Sequence, residues 1–159
     1  MSGARSPQPR ARGAVRVDVG RSGSRGGLPD DAVRRVVRMV LRAEGVRNAR
    51  VSVALVSDAA IAGVNAAYLG RRGPTDVIAF GLADPRGGVM GDIYIAPAVA
   101  RRSAARYGVP LREEIVRLVV HGVLHVLGYD HPEGDSRVES PMWLRQEALT
   151  ARAIRAARS

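Results

Sequence analysis

All three histidines of this 159-residue chain fall within the eleven residues from His121 to His131, and the first two interrupt its longest apolar stretch. Ile115, Leu118, Val119, Val123, Leu124, Val126 and Leu127 surround His121 and His125 in the pattern of a buried helix. Imidazoles at i and i+4 share one helix face, with Cβ atoms roughly 5–6 Å apart, close enough to share one metal ion. Gly128 falls where a helix C-terminus favours positive φ, so the chain can turn and bring His131 toward the same point. The pattern predicts three nitrogen ligands and an open fourth position. The plainer alternative is two histidines hydrogen-bonded in a core and a third on a loop. Everything else in the chain is then to be read as building or serving this helix.

The spacing resembles the HExxHxxGxxH pattern of metzincin proteases, with Gly122 where those enzymes carry a glutamate general base. Glycine has no side chain to move a proton, which disfavours peptide hydrolysis by that route. Three neutral imidazoles would leave a dication its full charge, suited to polarising a phosphoryl oxygen and to lowering the pKa of bound water to about 7. That chemistry fits a phosphodiester substrate.

Charge points the same way. The formal net charge is +10, and every basic residue is arginine, whose planar fork matches phosphate. Such an excess favours a polyanion such as nucleic acid; the competing explanation is biased coding in a chain rich in Ala, Arg, Gly and Val. Cysteine is absent, so disulfides and thiolate sites are excluded, any metal must sit on nitrogen and oxygen ligands, and a reducing compartment is the expectation. The stretch around Ile115 to Leu127 is too short to span a bilayer, and no transmembrane segment is expected. The length suits one domain with a real core.

Residues 1–13 carry Arg5, Arg10 and Arg12 among Pro, Ser and Gly and read as a disordered basic tail without the apolar core of a secretory signal. From Ala14 to Gly20 the valines alternate as in a strand, and Arg21 to Gly27 reads as a loop. A helix follows from Pro29 to about Gly45, with Val33, Val36, Val37, Val40 and Leu41 on one face. Arg50 to Val56 alternates again. Ser57 or Asp58 can cap a helix through Ile61, Val64 and Tyr68, and Gly70 to Pro74 forms a loop. Its Arg71 and Arg72 are candidate phosphate contacts, or simply a solvated charged loop. Asp76 to Phe80 and Met90 to Ala96 read as strands around a turn at Ala83 to Gly88. Asp92 is a candidate partner orienting a ligand histidine, or a structural aspartate. Pro97 opens a helix to about Tyr107, Pro110 opens the histidine helix, and Ser140-Pro141 opens a last helix with Met142, Leu149 and Ala153 inward. The class expected is a single α+β domain over residues 14–159, a small mixed sheet packed with helices around the histidine helix.

These motifs resemble the YbeY family of bacterial rRNA maturation factors. His121 to His131 reads as its HGxLHLxGYDH signature, Pro74-Thr75-Asp76-Val77-Ile78-Ala79-Phe80 is similar to its PTDVLSF segment, and Gly91-Asp92-Ile93 to its GDI strand. Met142 and Glu147 stand where its last helix carries such residues. The resemblance implies a metal-dependent, single-strand-specific endoribonuclease of rRNA processing and ribosome quality control in the cytoplasm. Its metal, usually zinc, would be held by His121, His125 and His131, and its partners would be single-stranded RNA, rRNA and the ribosome. Leu69 departs from the family, which usually carries a reaction-serving arginine directly after the tyrosine matching Tyr68. Arg71 or Arg72 is the expected substitute, and Asp130 is a candidate to steady a histidine, relay a proton or merely shape the turn. Two rivals follow: a non-catalytic RNA-binding assembly factor with a structural metal, and a metalloprotease.

Overall fold

The computed structural model describes residues 13–23, 26–130 and 140–158. The tail expected over residues 1–13, save Gly13, and the third histidine, His131, lie outside the described residues.

Four strands form one sheet in the order β1-β2-β4-β3. Strands β1 (Val15–Ser22), β2 (Ala49–Val56) and β4 (Val89–Ile95) run parallel, and β3 (Val77–Ala83) pairs antiparallel to β4. The helices are α1 (Asp30–Ala43), α2 (Asp58–Leu69), α3 (Pro97–Tyr107), α4 (Leu111–Val126) and α5 (Pro141–Arg158). The mixed α+β domain expected from the sequence is the one observed.

Period-two alternation sorts the strand residues to two faces. Val17, Val51, Val53, Leu55, Ile93 and Ile95 face the main core with α1, α4 and α5, while Val56, Ile78 and Ala96 meet Ile61 of α2 on the other side. Helix α4 is central: Ile115, Val119, Val120, Val123 and Leu124 are completely buried, each such side chain contributing about 1.5–3 kcal/mol. It can lie this low on the sheet because Gly91 offers no side chain. A Cβ there would stand 2.5 Å from Cγ1 of Val126.

Two strands outrun their expected ends by more than one residue. β1 continues to Ser22 through residues expected as loop, because Arg21 and Ser22 pair with Leu55 and Val56, and the Arg21 guanidinium is held by Asp30 at 2.6 Å and by the carbonyl of Leu28. β3 runs to Ala83, past the expected end at Phe80, because β4 offers partners as far as Val89. Ser57 proves to be the cap of α2, its Oγ accepting from Ala60 N at 3.2 Å, while Asp58 instead pairs with Arg102 at 2.8 Å. Tyr68 does not join the apolar face of α2; it is 71% exposed and leans on Phe80 at 5.4 Å. Among the described residues no helix is long and apolar enough to cross a membrane.

Candidate active site

His121 and His125 leave the same face of α4, half-buried, with ring centroids 4.6 Å apart and planes at 75°. Both line a groove of about 610 Å³ between α4, the first turns of α5, β3 and the loop after α2. This volume lies within the usual range for ligand sites.

A polar chain stands behind His121. Its Nδ1 lies 2.6 Å from Oε1 of Gln146 on α5. An amide oxygen only accepts, so Nδ1 carries the proton and the ring lone pair falls on Nε2. The amide is set in turn by Gln146 Nε2 donating to Glu147 at 3.4 Å. Arg117 reaches both Glu147, at 3.1 Å, and Glu114, at 3.0 Å. Burial works against the Arg117 charge, but the two carboxylates outweigh it and raise its pKa further.

Helix α4 ends as its glycine predicts: Gly128 adopts φ 95°, and Tyr129 N bonds back to Leu124 O at 3.0 Å. Tyr129 Oη then donates to Glu44 Oε2 at 2.7 Å, and Arg145 Nε to Glu44 Oε1 at 2.6 Å. Burial opposes ionisation of Glu44, yet the hydrogen bonds from Arg145 and Tyr129 and the Arg145 charge prevail and lower its pKa. The hydrogen bond to Glu44, with burial behind it, raises that of Tyr129.

The residues expected to act are sorted by this geometry. Arg71 and Asp130 line the groove with the two histidines, as does Leu69; Arg72 does not appear on its wall. Asp92 points to the opposite face of the sheet from Ile93, where it accepts from Ser52 Oγ at 2.7 Å, so the structure does not bring it to the histidines. Tyr94 on that face has its pKa raised by burial, then by Asp92 and Tyr68. Among the described residues no three His, Cys, Asp or Glu side chains are grouped to hold an ion. The donors present do suit one: two imidazoles on one helix face, one with its tautomer set by Gln146.

A profile of the family described as Endoribonuclease YbeY matches residues 28–153. The chain belongs to the YbeY family. A relative named Endoribonuclease YbeY from Moorella thermoacetica is 43% identical over 129 residues, spanning 74% of this chain and 81% of the relative. Another of that name, from Thermobifida fusca, is 38% identical over 137 residues, spanning 79% and 87%. A Thermotoga maritima protein solved in solution superposes with a TM-score of 0.63 at 24% identity, covering 89% of this chain and 91% of that one; it bears on the fold alone.

Within this YbeY fold, three contributors escape a reading of the sequence. Gln146 meets the site across 25 positions, a separation no local pattern reveals, whereas Arg117 stands one turn before His121 on the same helix, where the i, i+4 spacing was the available signal. The side chain of Asn65, 5% exposed inside an otherwise ordinary helix, donates from Nδ2 to Gly73 O at 3.0 Å, while its backbone carbonyl accepts from Arg71 N at 3.2 Å as the helix ends. It thereby ties down the loop that carries Arg71. The available signal for Asn65 was a polar residue four places after Ile61, on the apolar face of α2.

Proposed function

We propose that this chain is a metal-dependent endoribonuclease that cuts single-stranded RNA, acting in rRNA maturation and ribosome quality control in the cytoplasm. The observation that carries the reading is the pair His121 and His125 facing one groove with Arg71 and Asp130 on its wall. Membership of a family whose relatives are named endoribonucleases supports it.

The ion would be held by His121, His125 and His131, with zinc the natural candidate for a site of imidazoles without thiolates. When bound, it would supply Lewis acidity toward a phosphoryl oxygen and make water a stronger nucleophile near neutral pH. The protein's own residues do the rest. Gln146 keeps the His121 proton on Nδ1, presenting Nε2 to the groove. Arg71, anchored through Asn65, meets the phosphate and offsets the negative charge that grows on it. Asp130 stands where it can accept a proton or steady a histidine. The arginine excess draws the polyanion in.

Leu69 favours a second reading, a non-catalytic ribosome-assembly factor, because it places an aliphatic side chain on the groove wall where the family resemblance leads one to expect arginine. The protease alternative loses ground to packing, since Gly122 lies against Ile93 with no room for a glutamate. The deciding experiment is cleavage of single-stranded RNA by purified, metal-loaded protein against His125→Ala, with metal content measured in both. Cutting confined to the loaded parent chain supports the nuclease; bound metal without cutting across several RNAs supports the assembly factor. A 2′,3′-cyclic phosphate on the product would identify the RNA 2′-hydroxyl as the attacking group.

A further inference from the structure

We infer that Trp143 is the stacking surface for an unpaired base next to the phosphate to be cut, an inference that rests on the reading of the groove as an RNA site. Trp143 is the chain's single tryptophan, and it stands on the wall of the groove that holds His121 and His125. Its backbone is fixed at the start of α5, where Ser140 Oγ accepts from its N–H at 3.1 Å. Its neighbour Met142 goes wholly into the core at 1% exposure, whereas the indole is only half-buried.

Three observations give that ring a partner of stated chemistry. Among the described residues no aromatic ring pairs with it, and Trp143 keeps part of its surface open on the groove wall. The same groove is lined by Leu69, an apolar side chain 46% exposed, which offers the flat face of a base a second apolar surface. Arg71 lies two residues beyond Leu69 on that wall, placing a phosphate contact beside the base site. An aromatic surface, an aliphatic surface and a guanidinium in one groove match a nucleotide taken base and phosphate together. On this account Leu69 is a base contact in the place of a charge contact.

Selectivity follows from the physics of stacking. Inside a duplex each base has both faces covered by its neighbours, so away from the ends only an unpaired nucleotide can offer a face to the indole. Every base has a π-face, so the contact selects strandedness and is tolerant of sequence.

A single tryptophan lets the test be spectroscopic, because no second indole contributes to the signal. The parent chain stripped of metal and the His125→Ala chain are each titrated with a short unstructured RNA, then with the same strand annealed to its complement. The single strand is expected to change the indole fluorescence saturably and the duplex to leave it unchanged. Trp143→Ala should weaken single-strand binding between about 5- and 150-fold, and Trp143→Phe should stay within about threefold of the parent. Metal content and far-ultraviolet dichroism should be unaltered in both variants. Single-strand binding with unchanged fluorescence, an equal response to duplex, a Trp143→Ala chain that binds as tightly as the parent, or no binding at all would each overturn the assignment. A fluorescence change in a chain that never cuts RNA sinks the nuclease and leaves the stacking site. Cutting with silent fluorescence does the reverse.

Discussion

Gly122 lies directly against Ile93: a Cβ on the glycine would stand 2.7 Å from Ile93 Cγ2, closer than real Cβ atoms approach. Ile93 is completely buried and cannot give way cheaply. The residue between two metal-site candidates is thus dictated by the contact of helix with sheet.

Gly122→Ala is therefore expected to destabilise the fold. Alanine gains about 1 kcal/mol of helix propensity, but overpacking a closed core costs typically 1–3 kcal/mol or more. Urea unfolding should show a lower midpoint, and Gly122→Glu should fail to accumulate as folded protein. A stabilised Gly122→Ala would show that α4 can lift from β4.

Gln146→Ala should lower metal affinity by about 10- to 100-fold, the usual effect of removing the partner that fixes a ligand histidine. Competition with a chelating indicator measures it. Thermal unfolding of the metal-free variant should shift little, while the increment added by metal should shrink. Gln146→Glu, which keeps an acceptor opposite Nδ1, should restore most of the affinity. Equal affinities in all three chains would remove Gln146 from the site.

Arg71 and Arg72 are adjacent in sequence, yet only Arg71 lines the groove. Arg71→Ala is expected to lower the cleavage rate constant by about 100-fold, as loss of a charge-stabilising donor does, and Arg72→Ala to leave it near the parent value. Single-turnover rates on one short RNA make the comparison. Similar losses in both variants would mean that the loop acts by charge and not by position.

Glu44 makes stability depend on pH. Its pKa is lowered in the fold from an ordinary value of 4.5, so its contribution is complete above that value and is lost as pH falls through the folded pKa. The difference in unfolding free energy between the parent and Glu44→Gln should be about 2 kcal/mol near neutrality, as for hydrogen bonds to a charged group. It should narrow below pH 4.5. A difference independent of pH would mean that Tyr129 and Arg145 do not sense the charge.

The histidine helix was legible because its signals are local: an apolar period near 3.6, two imidazoles at i and i+4, and a glycine at the turn. Arg71 was legible as a candidate because it follows Gly70 in a glycine-bounded loop, whereas Asp130 was reached through its place in the signature the chain resembles. Asp92 shows where local reasoning stops. Its strand alternates clearly, but an aspartate one place from Ile93 must face away from whatever Ile93 faces, and Ile93 faces α4. Gln146 was invisible because it meets His121 across 25 positions, and nothing in the pattern of α5 distinguishes it from any polar residue. The ends of β1 and β3 were missed because a strand extends as far as its neighbour offers hydrogen bonds, which is a property of the pair.

The carboxylate of Glu44 grips Tyr129, just after α4, and Arg145, in the first turns of α5. It thus clamps the two flanks of the stretch that contains His131 to a single point at the end of α1. The loss of chain freedom on closing a loop grows with the span to be closed, and here the fold itself brings the flanks together, independently of the ion proposed for the site. The entropy of loop closure is thereby separated from the chemistry of ligation. A substitution at Glu44 should therefore reach the proposed metal site through the two flanks that its carboxylate holds, Tyr129 and Arg145.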